Sequence, residues 1–327
     1  VERAGFTLAA VDEHVGAPLL RKISRTSLES TLVRDIWRII GSKTRTNLLA
    51  DKFDEWFFHG LRLKDLSSSC RFIFNASNLT TGVRFGLERD LIGDWVMGRI
   101  ETPSDFRLAN AVAASAAFPG GLAPLVLSGL DFPCANGRTA KLLDGGAYDN
   151  LGLQPLDNLN DRDRPEELRD ACLVALNAGG VFRTGAYGRV PLVRDLMRTN
   201  SLLYRQTIAL RMRTMVERFQ AWEQADGSKP SWARRGVLFG LATTLAEGLA
   251  TEWRTQNAEW PGKRTPQEED AERRRLALTK TSFELFPFEL CSALIRRGWW
   301  LAGATISTYH PELLDELPLW TPPPQPS

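Results

Sequence analysis

The chain has 327 residues, of which 43% are hydrophobic and 24% charged, and 41 Lys and Arg residues nearly balance 39 Asp and Glu residues. These proportions are typical of a soluble globular protein and exclude a disordered or fibrous chain. Because the balance leaves no large basic surface of the kind that binds phosphate backbones, we expect no nucleic-acid partner.

Cysteine and histidine residues are too scattered in the chain to suggest a metal site. Zinc needs clustered ligands, and a disulfide framework needs more cysteines in so long a chain. We therefore expect no metal, no other cofactor and reduced thiols, as is typical of a cytoplasmic protein. The residues concerned are Cys70, Cys134, Cys172, Cys291, His14, His59 and His310.

The first part of the chain predicts helices followed by two strands. Leucine and isoleucine recur three and four residues apart within residues 18–66, which predicts helices. Residues 70–79 are short, rich in aromatic side chains and bounded by polar residues, which predicts a strand. Residues 80–82 then predict a turn, and residues 83–85 predict a second strand.

Residues 108–130 carry no charge and are long enough to span a bilayer, which takes about 20 residues. The stretch contains Pro119 and Pro124, and its first half is mostly alanine. A helix in lipid would be interrupted there and only weakly apolar. We predict a helix over residues 107–117 that stops at Phe118, and no transmembrane span.

Two later segments predict strands of a central sheet. Residues 141–143 form a short strand that leads directly into Asp144. Residues 171–177 are a continuous apolar run that ends at glycines, as is typical of a strand buried on both faces of a parallel sheet. The chain therefore predicts an α/β fold with a largely parallel central sheet flanked by helices.

The chain beyond residue 190 predicts C-terminal helical additions to this core. A last helix is predicted near residues 283–306, and the polar residues 256–272 predict a surface loop. A proline-rich tail follows and predicts disorder. We expect a core domain over residues 1–185 and a helical region over residues 186–327.

Asp144 is the first candidate for a catalytic side chain. It follows a predicted strand, and open α/β sheets place their sites at the carboxyl ends of strands. Gly145 and Gly146 come next, and glycine permits positive φ and close backbone approach, so that the carboxylate can face a cleft. The alternative is a tight turn with a solvated aspartate.

Three segments of the chain resemble the motifs of the patatin-like phospholipase family, in that family's order and spacing. The resemblance covers roughly residues 60–185. Its segments are residues 74–82 (FNASNLTTG), residues 114–119 (ASAAFP) and residues 144–152 (DGGAYDNLG).

The resemblance implies hydrolysis of acyl esters in lipids, with phospholipid as the expected substrate, by a Ser–Asp dyad without histidine. Asp144 would be the general base that takes the proton of the serine. An aspartate can do this only if its pKa is raised toward neutrality, as burial would do. The expected active-site loop consists of Gly145, Gly146, Ser115, Phe118 and Pro119.

The family's nucleophile motif, G-x-S-x-G, does not occur in the 327 residues. We therefore expect the missing N-terminal segment of the same protein to supply it, in which case this chain holds half of the active site. In a different interpretation, residues 113–117 mimic an elbow with Ser115 as nucleophile, although an elbow needs a preceding strand. A different function is also open, that of a non-catalytic module that binds lipid or a partner.

A basic segment suggests a second expected partner, an anionic membrane surface. Residues 183–218 contain eight arginines against only Asp195 and Glu217. A basic amphipathic helix can lie on anionic lipid, so a peripheral position at a membrane would accompany the cytoplasmic location. The alternative is an ordinary packing helix with arginines on its solvent face.

Overall fold

The computed structural model describes residues 7–39, 43–119, 121–157, 171–179, 191–244, 251–256, 266–279 and 282–314. The chain divides into two compact units, each built from two separate stretches. One consists of Val1–Pro155 and Tyr187–Ile208, and the other of Leu156–Ala186 and Ala209–Ser327. The domain boundary predicted after residue 185 stays a prediction.

The first unit begins with short helices, as the apolar spacing predicted. Polar side chains fix where two of them start, since Ser27 Oγ accepts a hydrogen bond from the Ser30 N–H and Thr44 forms a capping box with Asn47. The helices are α1 (Leu8–Val11), α2 (Ala17–Arg25), α3 (Leu28–Arg34) and α4 (Arg45–Phe53).

A six-stranded sheet follows, in the spatial order β4-β3-β2-β1-β6-β5. Every neighbouring pair of strands is antiparallel. The strands are β1 (Phe74–Asn78), β2 (Val83–Leu87), β3 (Leu91–Asp94), β4 (Gly98–Glu101), β5 (Leu125–Leu127) and β6 (Ala140–Asp144).

The prediction of a largely parallel central sheet is therefore wrong, although the strand-turn-strand at β1 and β2 and the strand at β6 are confirmed. The lengths of the connections explain the result. Only residues 79–82 join β1 to β2, residues 88–90 join β2 to β3, and residues 95–97 join β3 to β4. Parallel neighbours need a crossover of about a dozen residues or more, whereas antiparallel neighbours accept tight turns.

The core of this unit lies between the sheet and helix α5 (Leu108–Ser115), which confirms the alanine-rich helix predicted there. Small side chains let α5 approach the strands closely, because Ala111 and Ala114 pack in the same cluster as Ala76 and Phe85. Two single-turn helices follow β6, and they are α6 (Gly146–Asp149) and α7 (Gln154–Asp157).

The second unit contains a small parallel sheet of two strands, β7 (Leu173–Asn177) and β8 (Gly236–Gly240). The strand predicted over residues 171–177 is confirmed, but its burial on both faces is not. Val174 is 46% exposed and Leu176 is 54% exposed.

Helices make up most of the remaining described chain. The last predicted helix is confirmed as α11 (Phe288–Tyr309), whose Leu301 packs on Val237 and Phe239 of β8. The loop predicted over residues 256–272 is wrong in part, because α10 (Pro266–Ala277) begins within it. The predicted tail lies outside the described residues. The helices are α8 (Pro191–Gln224), which has residues in both units, α9 (Thr251–Gln256), α10 (Pro266–Ala277) and α11 (Phe288–Tyr309).

Within the described part of the chain, no helix combines the length and the apolar character needed to cross a membrane. The uncharged residues 108–130 contribute α5 and β5 to the first unit.

Candidate functional site

Asp144 is the last residue of β6 and lies half-buried opposite Ala76 of β1. The prediction that this carboxylate ends a strand is confirmed. In open α/β sheets, sites lie at the carboxyl ends of parallel strands. This sheet is antiparallel, so the position of Asp144 at the end of a strand does not by itself indicate a site.

Backbone hydrogen bonds tie the Asp144 loop to the end of α5. The Asp144 N–H donates to the carbonyl oxygen of Ala117 at 3.0 Å, and the Gly145 N–H donates to that of Ser115 at 3.3 Å. On the other side, the Ser77 hydroxyl donates to the Asp144 carbonyl oxygen at 2.8 Å. The structure thus brings together Ser115 and Gly145, two residues of the predicted active-site loop.

Both glycines after Asp144 lie in crowded surroundings, and neither has a positive φ. Gly145 has φ −60° and so does not use the positive φ that glycine permits. A Cβ atom at Gly145 would overlap the carbonyl oxygen of Asn75. A Cβ atom at Gly146 would lie 2.9 Å from Asp144 Oδ1 and 2.5 Å from Asn150 Oδ1. The predicted close approach of the backbone is confirmed.

The Asp144 carboxylate is held by one hydrogen bond. The Gly146 N–H donates to its Oδ1 at 2.6 Å, whereas no described residue donates to Oδ2. Burial raises the pKa of the Asp144 carboxyl, and the hydrogen bond from Gly146 opposes that rise. The carboxylate therefore has two properties that suit a general base, an oxygen without a donor among the described residues and a raised pKa.

The segment 115–119 places its other residues around this loop in different ways. Ser115 is the last residue of α5, so a helix precedes it where an elbow needs a strand. Within the described residues, its hydroxyl forms no hydrogen bond with the Asp144 carboxylate. Phe118 is 45% exposed, and Pro119 forms a backbone bridge with Leu122. The helix that precedes Ser115 argues against the interpretation of residues 113–117 as an elbow.

Sequence reasoning missed one residue that supports the site. Ser77 lies in a predicted strand, and nothing in the sequence indicated that its hydroxyl contacts the Asp144 loop. Asp149, by contrast, belongs to the motif around Asp144 and was expected to support the loop. It lies buried, and its Oδ2 accepts a hydrogen bond from the Gln154 N–H at 2.7 Å, which fixes the chain that leaves α6.

The basic segment is helical, as predicted, within α8. Its exposed side includes Arg205 and Arg213 together with three leucines, which are Leu202, Leu203 and Leu210. Arg183 and Arg189 lie outside the described residues.

Docking of this helix on a membrane stays a prediction. Cosedimentation with anionic liposomes that weakens with rising salt would support it, whereas binding that does not depend on salt or on lipid charge would contradict it.

Metal-binding side chains do not gather at the site. In the described residues, no three His, Cys, Asp or Glu side chains lie close enough together to hold a metal ion.

Comparison with known proteins does not identify a family for this chain. The chain matches no protein-family model, and no curated protein matches it at a significant level.

Proposed function

We propose that this chain supplies the general base of a serine-type lipid acyl ester hydrolase, of the phospholipase A type, and that this base is Asp144. The observation that carries the proposal is the half-buried carboxylate, which keeps Oδ2 without a donor among the described residues. Buried polar side-chain atoms mostly have a hydrogen-bond partner in folded proteins, so an oxygen without a donor at this position supports a role beyond the fold. The resemblance of three segments to patatin-like phospholipases supports the same residue.

The proposed chemistry begins with a proton transfer. Asp144 takes the proton of a serine hydroxyl while the serine oxygen bonds to the acyl carbon of the ester. The tetrahedral intermediate then expels the alcohol, which takes the proton back from Asp144. The product of this half of the reaction is an acyl-serine.

Hydrolysis of the acyl-serine uses Asp144 in the same way. The carboxylate takes a proton from water, and the resulting hydroxide attacks the acyl carbon. The serine oxygen leaves and recovers the proton, and the fatty acid is released. A raised pKa favours both steps, because a proton acceptor works best when its pKa lies near the working pH.

The proposal assigns the serine to a G-x-S-x-G motif that these 327 residues do not contain. That absence is also the observation that favours the second candidate function, a non-catalytic module that binds lipid or a partner. The two functions differ in one respect that can be measured, which is whether the complete protein turns over an ester.

The test compares Asp144→Asn with wild type in protein expressed from its complete coding sequence. Hydrolysis of p-nitrophenyl butyrate and of phosphatidylcholine is measured. The amide keeps the shape of the side chain but accepts no proton, so kcat should fall by about 10²–10⁴-fold. Asp131→Asn makes the same chemical change at an exposed position and should leave kcat unchanged.

Two further proteins test the same proposal. Asp149→Asn should have a far milder effect than Asp144→Asn, because Asp149 only supports the loop. Protein made of residues 1–327 alone should not hydrolyse either ester above background. Turnover by that protein, lost on Ser115→Ala, would assign the nucleophile to Ser115. Full activity of folded Asp144→Asn would end the dyad proposal, and an inactive complete protein would favour the binding module.

A further inference from the structure

Tyr204 carries a buried hydroxyl that has no hydrogen-bond partner in the part of the chain that the structure describes. The residue lies on α8, in the stretch Tyr187–Ile208 that belongs to the same compact unit as Asp144. Its Oη is shielded from solvent and forms no hydrogen bond with any described residue. Buried hydroxyls nearly always have a partner, so an exception calls for an explanation such as a ligand.

The charge of Asp144 acts on this hydroxyl. Burial raises the pKa of Tyr204 strongly, and the negative charge of Asp144 raises it further. The phenol therefore stays protonated near neutral pH and is a hydrogen-bond donor there. Asp144 and Tyr204 thus lie within electrostatic reach of each other, and no hydrogen bond between them satisfies either group.

Asp144 Oδ2 and the Tyr204 hydroxyl, which have no hydrogen-bond partner among the described residues, have complementary uses at one site. Asp144 offers Oδ2 to a proton, and Tyr204 offers a proton to an oxygen atom. An ester bound between them would satisfy the phenol, because its oxygens are acceptors only. The same ester would bring its acyl carbon to the place where the base acts.

We propose that Tyr204 is a second polar residue of the Asp144 site, whose hydroxyl donates a hydrogen bond to an oxygen of the bound acyl ester. The inference rests on the proposed function, and it adds the residue that would stabilise negative charge on that oxygen. A buried, prepositioned donor does this well, because water does not compete with it. Tyr204 would touch the substrate and take no part in proton abstraction.

The test is Tyr204→Phe, which removes only the hydroxyl. Activity on p-nitrophenyl butyrate is measured in the complete protein, and thermal unfolding is measured in parallel. The donor acts as charge develops, so kcat should fall by about 10²-fold, the lower end for loss of one such donor, with KM nearly unchanged. The melting temperature should stay equal or rise, since the hydroxyl has no partner to lose.

Tyr309→Phe is the matched control, because Tyr309 is 45% exposed at the end of α11. It should change neither kcat nor the melting temperature. The Asp144→Asn variant separates the two proposals. If Asp144→Asn is inactive and Tyr204→Phe has wild-type kcat, the inference about Tyr204 fails and the proposed function stands.

Other outcomes are equally decisive. A lower melting temperature in Tyr204→Phe would show that the hydroxyl is structural and would overturn the inference, whatever the activity. Full activity of Asp144→Asn, or no ester hydrolysis by the complete protein, would overturn the proposed function and the inference together. A fall in kcat with a steady KM and an unchanged or raised melting temperature would support the inference.

Discussion

Two aspartates end strands of the same sheet and have opposite surroundings. Asp94 ends β3 and is 2% exposed, and Asp144 ends β6 and is half-buried. The carboxylate of Asp94 accepts four hydrogen bonds, two on each oxygen. The carboxylate of Asp144 accepts one from the described residues, on Oδ1. The four donors to Asp94 are Val96 N at 2.9 Å, Met97 N at 2.7 Å, Asn78 Nδ2 at 2.8 Å and Thr81 Oγ1 at 2.9 Å.

The difference distinguishes a carboxylate that serves the fold from one that is available for chemistry. Four hydrogen bonds to a charged group offset the loss of hydration at Asp94 and fix the turn between β3 and β4. At Asp144 a single bond leaves part of that loss uncompensated, which is why burial raises its pKa. Proteins accept such a cost in stability where function requires it.

The largest stability effect is expected at Asp94. Asp94→Asn replaces one acceptor oxygen with an amide nitrogen, so one buried and one part-buried donor lose their partner. At about 1.5 kcal/mol or more for each hydrogen bond to a charged group, the free energy of unfolding should fall by about 3 kcal/mol. Urea unfolding measures the change. If the free energy of unfolding does not change measurably, the hydrogen bonds to Asp94 do not stabilise the turn. Asp94 and Asp144 would then not differ in the way proposed.

A smaller effect is expected at Ser77, whose hydroxyl donates to the Asp144 carbonyl oxygen at 2.8 Å. Ser77→Ala removes one neutral hydrogen bond, and the free energy of unfolding should fall by about 1 kcal/mol. The same urea experiment applies, with Ser128→Ala at an exposed position as a reference. Equal stability of wild type and Ser77→Ala would show that this bond does not hold the loop.

The smallest effect, with the opposite sign, is expected for the stability of Asp144→Asn. Because burial raises the pKa of the carboxyl, the folded protein is most stable while Asp144 is protonated. That contribution is lost as the pH rises from the ordinary aspartate value of 3.8 through the raised value in the folded state. At pH 7, Asp144→Asn should therefore be at least as stable as the wild type.

Unfolding curves at pH 7 and at a pH below 3.8 test the sign of this effect. Any advantage of Asp144→Asn at pH 7 should disappear in acid, where the wild-type carboxyl is protonated in both the folded and the unfolded chain. If Asp144→Asn is destabilised at pH 7 as strongly as Asp94→Asn, the two carboxylates play the same role. The comparison, and the case for Asp144 as a base, would then be contradicted.

Local pattern in the sequence was enough to predict the elements that position Asp144. The aromatic run before Asn78, the glycine at the following turn and the alanine run that ends near Ser115 are short-range signals, and each became the expected strand, turn or helix. The short strand that ends at Asp144 was visible for the same reason. Backbone conformation in these segments depends mainly on neighbours along the chain.

Tertiary structure alone decided the rest. Short connections account for the antiparallel pairing of β1 with β2, but the pairing of β1 with β6 joins segments distant in the chain and was decided by which strands became neighbours. Glycine at position 145 is required by the backbone of Asn75, a strand distant in sequence. The hydrogen bonds from Asn78 and Thr81 to Asp94 come from another part of the sheet, and Tyr204 belongs to the same compact unit as Asp144 although it is distant in the chain. Hydrogen bonding and burial at such sites depend on which segments meet in space, which residue order along a single chain does not specify.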